Sequence, residues 1–296
     1  MIYLTMVMLL INSDHGFDCI CTLFFLSTMG SYLTFGGSYW YPLLQVSLQF
    51  AFFMAQWEEF HSHVLPHCVG KWLGVTETNY SMAIFTLINS QIDREAFYHR
   101  PMSQVLAPLG DGVLQQIPNI VKDLEFRHFL MVLWALMALV LMALSLLRVL
   151  FHPNIVGDGN KSSADIRKGR LNAISRLATP FALSVAAFVV PPTAVRTRYL
   201  SITLGLAFSI LTKKMIVFSM AKMKFAAVQF DAVPILLAAL WIRYDNRLTK
   251  DGADFVLGVL CFCYTFRMLR WVNVTINQIC TKLDINCLSL GKRKKD

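Results

Sequence analysis

Charge is scarce in this chain, and negative charge is scarcest: 18 Asp and Glu stand against 27 Lys and Arg among 296 residues, a formal net charge of +9. Soluble domains carry about 25% charged residues, and this chain carries 15%. A solvated charged surface is therefore excluded. Cysteine supplies no framework. The seven residues, Cys19, Cys21, Cys68, Cys261, Cys263, Cys280 and Cys287, lack metal-finger spacing and mostly sit in apolar runs, so they read as buried free thiols. His-Glu-x-x-His is missing, which excludes the usual metalloprotease site. There is no internal repeat and no low-complexity tract. Met1 to Leu10 lacks the basic start and the small-residue cleavage site of a signal peptide. The sequons at Asn79, Asn160 and Asn273 fall in or beside apolar runs or on a basic loop, and no glycan is expected on them.

What the chain has instead is apolar length. Hydrophobic residues make up 56% of it, aromatics 12%, and the mean hydropathy is +0.52. Phe129 to Leu147 is an uncharged run long enough to cross a hydrocarbon core of about 30 Å. Cys19–Phe35, Tyr41–Trp57, Ala178–Pro191, Tyr199–Leu211, Phe230–Ile242 and Phe255–Val274 follow the same pattern. Tyr80–Ile92 and Met1–Ile11 are weaker. The expectation is an all-α polytopic transmembrane bundle of about seven or eight spans, a single membrane domain over residues 1–296 with a cytosolic linker around 153–176. The basic stretch Lys161–Arg176 and the tail Gly291–Asp296 both belong in the cytosol by the positive-inside rule, and the four spans between them, an even number, agree. Arg196 and Arg198 then fall in a luminal loop, against the rule. The basic surplus is thereby spent on orientation and anionic lipid contact, and nothing argues for nucleic acid.

Polar residues near membrane depth are costly and mark function. Ser13-Asp14-His15-Gly16-Phe17-Asp18 places Asp14 and Asp18 one helical turn apart. Two such carboxylates repel unless a cation lies between them, so the pair reads either as a metal site or as a solvated helix end. Trp57-Glu58-Glu59-Phe60-His61-Ser62-His63, then His67, then Gly74-Val75-Thr76-Glu77 gather three acids and three histidines near an interface. They read as an amphipathic turn anchored by Trp57 and Trp72, as an acid/base site that cooperates with the Asp pair, or, least in keeping with the spacing, as a zinc site.

These blocks, with the later "LTKKMIVFSMAKM", "FDAVP" and "RWVNVTINQICTKLDI", resemble the choline/ethanolamine phosphotransferase branch of the CDP-alcohol phosphatidyltransferase family, over roughly the whole chain. The resemblance implies a transferase of phospholipid biosynthesis. Such an enzyme passes phosphocholine or phosphoethanolamine from CDP-choline or CDP-ethanolamine to diacylglycerol and releases CMP, with Mg²⁺ or Mn²⁺ held by aspartates. The family signature D-G-x2-A-R-x8-G-x3-D-x3-D ends on Asp14 and Asp18. Asp14 and Asp18 are then metal ligands, Asp18 is the candidate base, Glu77 is a second, and His61, Glu58 and Glu59 are supporting candidates. A homodimer in the membrane of the endoplasmic reticulum or Golgi is also implied. The chain departs from the signature: its Gly falls on Leu10, its Arg on Met1, and the Asp-Gly would precede Met1. Lys213-Lys214 and Ser219-Met220 stand where the branch shows Asn-Lys and His-Met. The departures imply an incomplete sequence or a non-catalytic membrane subunit or scaffold, the first being favoured, and impaired turnover in either case.

Lys292 and Lys294, fifth and third from the last residue, have the spacing of a dilysine retrieval signal, and the same run also reads as a plain basic stop to the last helix held by anionic lipid. Lys292→Ser with Lys294→Ser is expected to release a tagged protein toward the Golgi with its topology unchanged. Imaging of the tag beside protease digestion of sealed microsomes checks both halves, and a tail protected from protease would reverse the orientation.

Overall fold

The computed structural model describes residues 18–64, 68–69, 73–157, 162–245, 247–283, 285–286 and 289–292. They form a helical bundle, with two very short strand pairs, Cys68–Val69 with Leu73–Gly74 and Ile285–Asn286 with Ser289–Lys292. We number the long helices α1 (18–32), α2 (Trp40–Ser62), α3 (Val75–Asn89), α4 (Phe126–Leu150), α5 (Ser163–Ser175), α6 (Ala178–Val189), α7 (Thr197–Met220), α8 (Val233–Tyr244) and α9 (Lys250–Leu283). Each expected span from Cys19 onward is helical, and Met1–Ile11 lies outside the described residues. By length and composition, however, four stretches among the described residues can cross a membrane alone: Phe126–Val156, Ser163–Val189, Thr197–Met220 and Lys250–Lys282. The seven or eight expected spans include shorter or more polar helices that do not meet those criteria alone. The remaining helices are short, or, like α2 with Gln45, Gln49, Gln56 and Glu58, too polar to qualify.

Local chemistry sets the helix ends. α2 stops at His63, whose left-handed φ of 59° breaks the repeat while its N–H still reaches the Glu59 carbonyl. α4 has no charge from Phe129 to Leu147, and Leu133, Leu136, Leu139 and Val140 are exposed on it, which is the outer face of a membrane bundle. α7 is the opposite case: 83% of its apolar window is buried, making it the central helix. The expected linker 153–176 is mostly helix instead. Ser162 accepts a hydrogen bond from the Asp165 N–H at 3.2 Å, an N-cap that starts α5, and Ala173 is fully buried on the far turn.

Alternation of direction gives the bundle two ends. The start of α1, the ends of α2, α4 and α7, and the starts of α6 and α8 meet at one, here termed the basic end. At the other, Arg127 donates to the Thr34 carbonyl (3.0 Å) and hydroxyl (2.8 Å) and pairs with Glu125 at 2.6 Å. There too, Arg196 reaches Asp251 and Asp254 at 3.1 and 3.2 Å, tying α7 to α9. That pairing gives Arg196 a structural reason to break the charge rule.

Helices α1, α2 and α7 pack most closely at Gly205, where an added Cβ would overlap Leu23 and lie 2.9 Å from Gln49 Nε2. Gly205→Val is expected to lower stability by about 1–3 kcal/mol through overpacking. Thermal unfolding in detergent checks this, with Gly258→Val, where a Cβ meets nothing within 4 Å, as the neutral comparison.

Candidate functional site

Asp18 is in the first described turn of α1, half-buried, at the basic end. The next residue, Cys19, is buried, and its carbonyl accepts from the Ser209 hydroxyl of α7 at 2.8 Å and the Thr22 hydroxyl at 2.8 Å. Beside them a small recess is lined by Cys19, Thr22, Gln49, Phe52, Phe208, Ser209 and Thr212. Gln49 is 3% exposed, and its Nε2 has no hydrogen-bond partner among the described residues. One turn further along α7, Lys213 is buried with its ammonium 3.5 Å from Met268 Sδ and within electrostatic reach of Cys19. Asp14 lies outside the described residues, so the pairing of Asp14 with Asp18 is an expectation the fold leaves open. Among the described residues no group of three His, Cys, Asp or Glu converges as a metal site.

The Trp57–His63 block sits at the same end and is tied to four other segments. Trp57 is fully buried and donates its indole N–H to the Ala173 carbonyl of α5 at 3.0 Å. Glu58, 7% exposed, takes a two-pronged pair from Arg148 of α4, 2.7 Å from Nε and 2.9 Å from an Nη. Phe60 packs edge-on to Phe225 and under the Arg176 guanidinium. His61 accepts from Arg176 at 3.1 Å through Nε2, since a guanidinium can only donate, while its carbonyl accepts from Asn154 at 3.0 Å. Glu59 is half-buried on the same turn. Trp57 is therefore a buried tie between α2 and α5, and Glu58 and His61 carry structural contacts. His67 and Trp72 lie outside the described residues. Glu77 is in the first turn of α3.

A second charged cluster was not singled out from the sequence. Asp231, 4% exposed at the start of α8, pairs with Lys214 of α7 and Arg267 of α9, and its carbonyl accepts from the Tyr264 hydroxyl at 2.6 Å. The hint was Lys213-Lys214 inside an apolar run, which has to find partners at membrane depth. That partner, Asp231, stands 17 residues from Lys214 and leaves no local signature.

No family profile matches the chain. A curated Dictyostelium discoideum protein, described as an uncharacterized CDP-alcohol phosphatidyltransferase class-I family protein, is 23% identical over 297 residues, 95% of this chain and 71% of that protein. The likeness supports a place in that family. It carries no information on the headgroup.

His61 lies past the expected end of its span at Trp57. Burial foremost, then the charge of Arg176 and the neighbouring His63 and His152, pushes its pKa down from 6.5 to about 4. The folded state thus holds it neutral, whereas the unfolded chain protonates it below about 6.5. Its contribution to stability is complete above pH 6.5 and is lost as pH falls toward 4. Unfolding followed across that window is expected to show the loss, and His61→Gln to flatten it; an identical slope in the variant counts against the assignment.

Proposed function

We propose that the chain is a CDP-alcohol phosphotransferase that passes phosphoethanolamine or phosphocholine from its CDP ester to the hydroxyl of diacylglycerol, releasing CMP. The observation that carries this reading is the seat of Asp18, half-buried in the opening turn of α1 at the end where the buried Lys213 ammonium also lies. Support comes from the likeness to a CDP-alcohol phosphatidyltransferase class-I family protein along 95% of the chain.

The reaction forms a bond between the diacylglycerol oxygen and the β-phosphorus and breaks the bridge to the α-phosphate, so negative charge builds on CMP as it leaves. Asp14 and Asp18 offer hard carboxylate oxygens of the kind Mg²⁺ or Mn²⁺ prefers. A bound divalent ion would supply the charge neutralisation that phosphoryl transfer needs. Asp18 takes the proton from the attacking hydroxyl, a weak nucleophile at neutral pH, and Glu77 is the second candidate for that proton. Lys213 adds positive potential to the same end. Headgroup choice rests on small differences in pocket size and hydrogen bonding. A homodimer in the membrane of the endoplasmic reticulum is part of the same proposal.

The competing reading is a non-catalytic membrane subunit or scaffold. It is favoured by Glu58 and His61, whose polar atoms are engaged in holding α2 to its neighbours.

The two readings separate on assay of purified protein with CDP-ethanolamine or CDP-choline, diacylglycerol and Mn²⁺. Weak transfer is expected, in keeping with the departures from the signature, with Asp18→Asn reducing it by about 100-fold or more through loss of ligand and base. Glu77→Gln is expected to slow transfer while leaving CDP-alcohol binding largely intact. Phospholipid formation that survives Asp18→Asn would remove Asp18 from the site, and its absence from the unaltered protein would leave the scaffold.

A further inference from the structure

The Asp231 cluster carries more positive charge than it can balance internally. Among the described residues one carboxylate, Asp231, faces Lys214 and Arg267, and the neighbouring Lys213 ammonium meets the Met268 thioether. Two positive charges are left over in a bundle whose surroundings are apolar. An arrangement like this is costly unless an external anion completes it.

The outward face of α9 shows where that anion would come from. Phe255, Val259, Phe262, Phe266 and Leu269 are all exposed and follow one another at helical spacing, as a lipid-facing stripe does. The stripe turns polar at Arg270 and continues with Asn273 and Asn277, which places the boundary between hydrocarbon and headgroups near Leu269. The same boundary follows from length: from Lys250 to Arg270 is about 30 Å at 1.5 Å per residue, the thickness of a hydrocarbon core. Arg267 therefore sits about one turn inside the boundary. Its side chain is 57% exposed and long enough to present the guanidinium at headgroup level. Arg270, one turn on along the same helix, is exposed and makes no hydrogen bond or ion pair with the described residues.

We propose that Lys214, Arg267 and Arg270 form a docking site for the phosphate of an anionic phospholipid in the leaflet at the basic end. Arg267 and Arg270 offer planar N–H pairs suited to phosphate oxygens, and Lys214 adds a point charge behind them. Phe266 and Leu269 provide the apolar surface along which an acyl chain lies. Free phosphate shares the charge complementarity but gains nothing from that apolar stripe. The site stands apart from the proposed transfer chemistry and does not depend on it.

Native mass spectrometry of the full chain, released from micelles loaded with palmitoyl-oleoyl phosphatidylglycerol or the matching phosphatidylcholine, tests the site. Phosphatidylglycerol is expected to be retained in preference, and Arg270→Gln to weaken its retention about fivefold, the scale of one basic residue at a membrane surface. Since Arg270 has no partner among the described residues, its loss leaves the fold intact. Arg267→Lys keeps the pair with Asp231 and is expected to retain the lipid more weakly than the unaltered chain. Equal retention of the two lipids, or phosphatidylglycerol retention unchanged in both variants, overturns the proposal. Displacement of the lipid by excess inorganic phosphate overturns the lipid as occupant and reassigns the cations to a soluble anion.

Discussion

A carboxylate buried in an apolar bundle has to meet a cation or give up its charge, and Glu58 meets Arg148. That requirement governs the basic end. Arg148 is the last basic residue of α4 and half of it is exposed, so the pair lies at the boundary, where its net worth is reduced by solvent. Its value is geometric. Trp57, Glu58, Phe60 and His61 occupy little more than one turn of α2, and each is held by a different partner: Ala173, Arg148, Phe225 and Arg176. A rotation of α2 that improved one contact would break the others, so the helix has one register against α4, α5 and the segment joining α7 to α8.

The opposite end solves the same problem without a buried acid on α2. Arg127 bridges Glu125 to Thr34, and Thr34 is held at a φ of 53°, in the left-handed region costly for a branched residue. His99 shares Thr34 Oγ1 at 2.9 Å, which ties the short helices between Arg94 and Lys122 to the turn between α1 and α2. Arg196 does likewise for α7 and α9, its backbone N–H donating to Asp254 at 2.8 Å while its guanidinium pairs with Asp254 and Asp251. These pairs pin helix ends, where the chain has already left the hydrocarbon.

How much of this was legible in the sequence depended on the range of the interaction. The body of α4 follows from an uninterrupted apolar run, and the all-helical class follows from composition, because only local hydrogen bonding satisfies a backbone in lipid. The end of α7 did not follow. Lys213-Lys214 resembles the polar finish of a span, yet the helix continues to Met220 because Asp231, at the start of α8, neutralises Lys214. α5 was hidden for a related reason: a polar, basic stretch reads as linker until Ala173 is seen beneath Trp57. At the candidate site, Asp18 and the Trp-Glu-Glu-Phe-His block were legible as polar interruptions of apolar sequence. The division of labour within that block was not, since the partners that Trp57, Glu58 and His61 find on other helices lie 90 or more residues away.

The polarity of the bundle also runs inside out. Its lipid-facing sides on α4 and α9 are apolar, whereas the seam between α1, α2 and α7 holds Gln45, Gln49, Ser201, Ser209 and Thr212, and Thr203 faces α9, all nearly excluded from solvent. Gln45 donates to Gln49 and to the Ser201 carbonyl, and the hydroxyls of Thr203, Ser209 and Thr212 are turned onto helix carbonyls. A hydroxyl that donates in this way keeps its oxygen lone pairs available as acceptors. The seam therefore tolerates polar neighbours where an all-leucine interface would reject them, and toward the basic end it opens on Cys19 and Lys213, beside Asp18. The buried polar groups of the seam thus meet the half-buried Asp18 and the buried Lys213, while the apolar faces of α4 and α9 remain on the exterior.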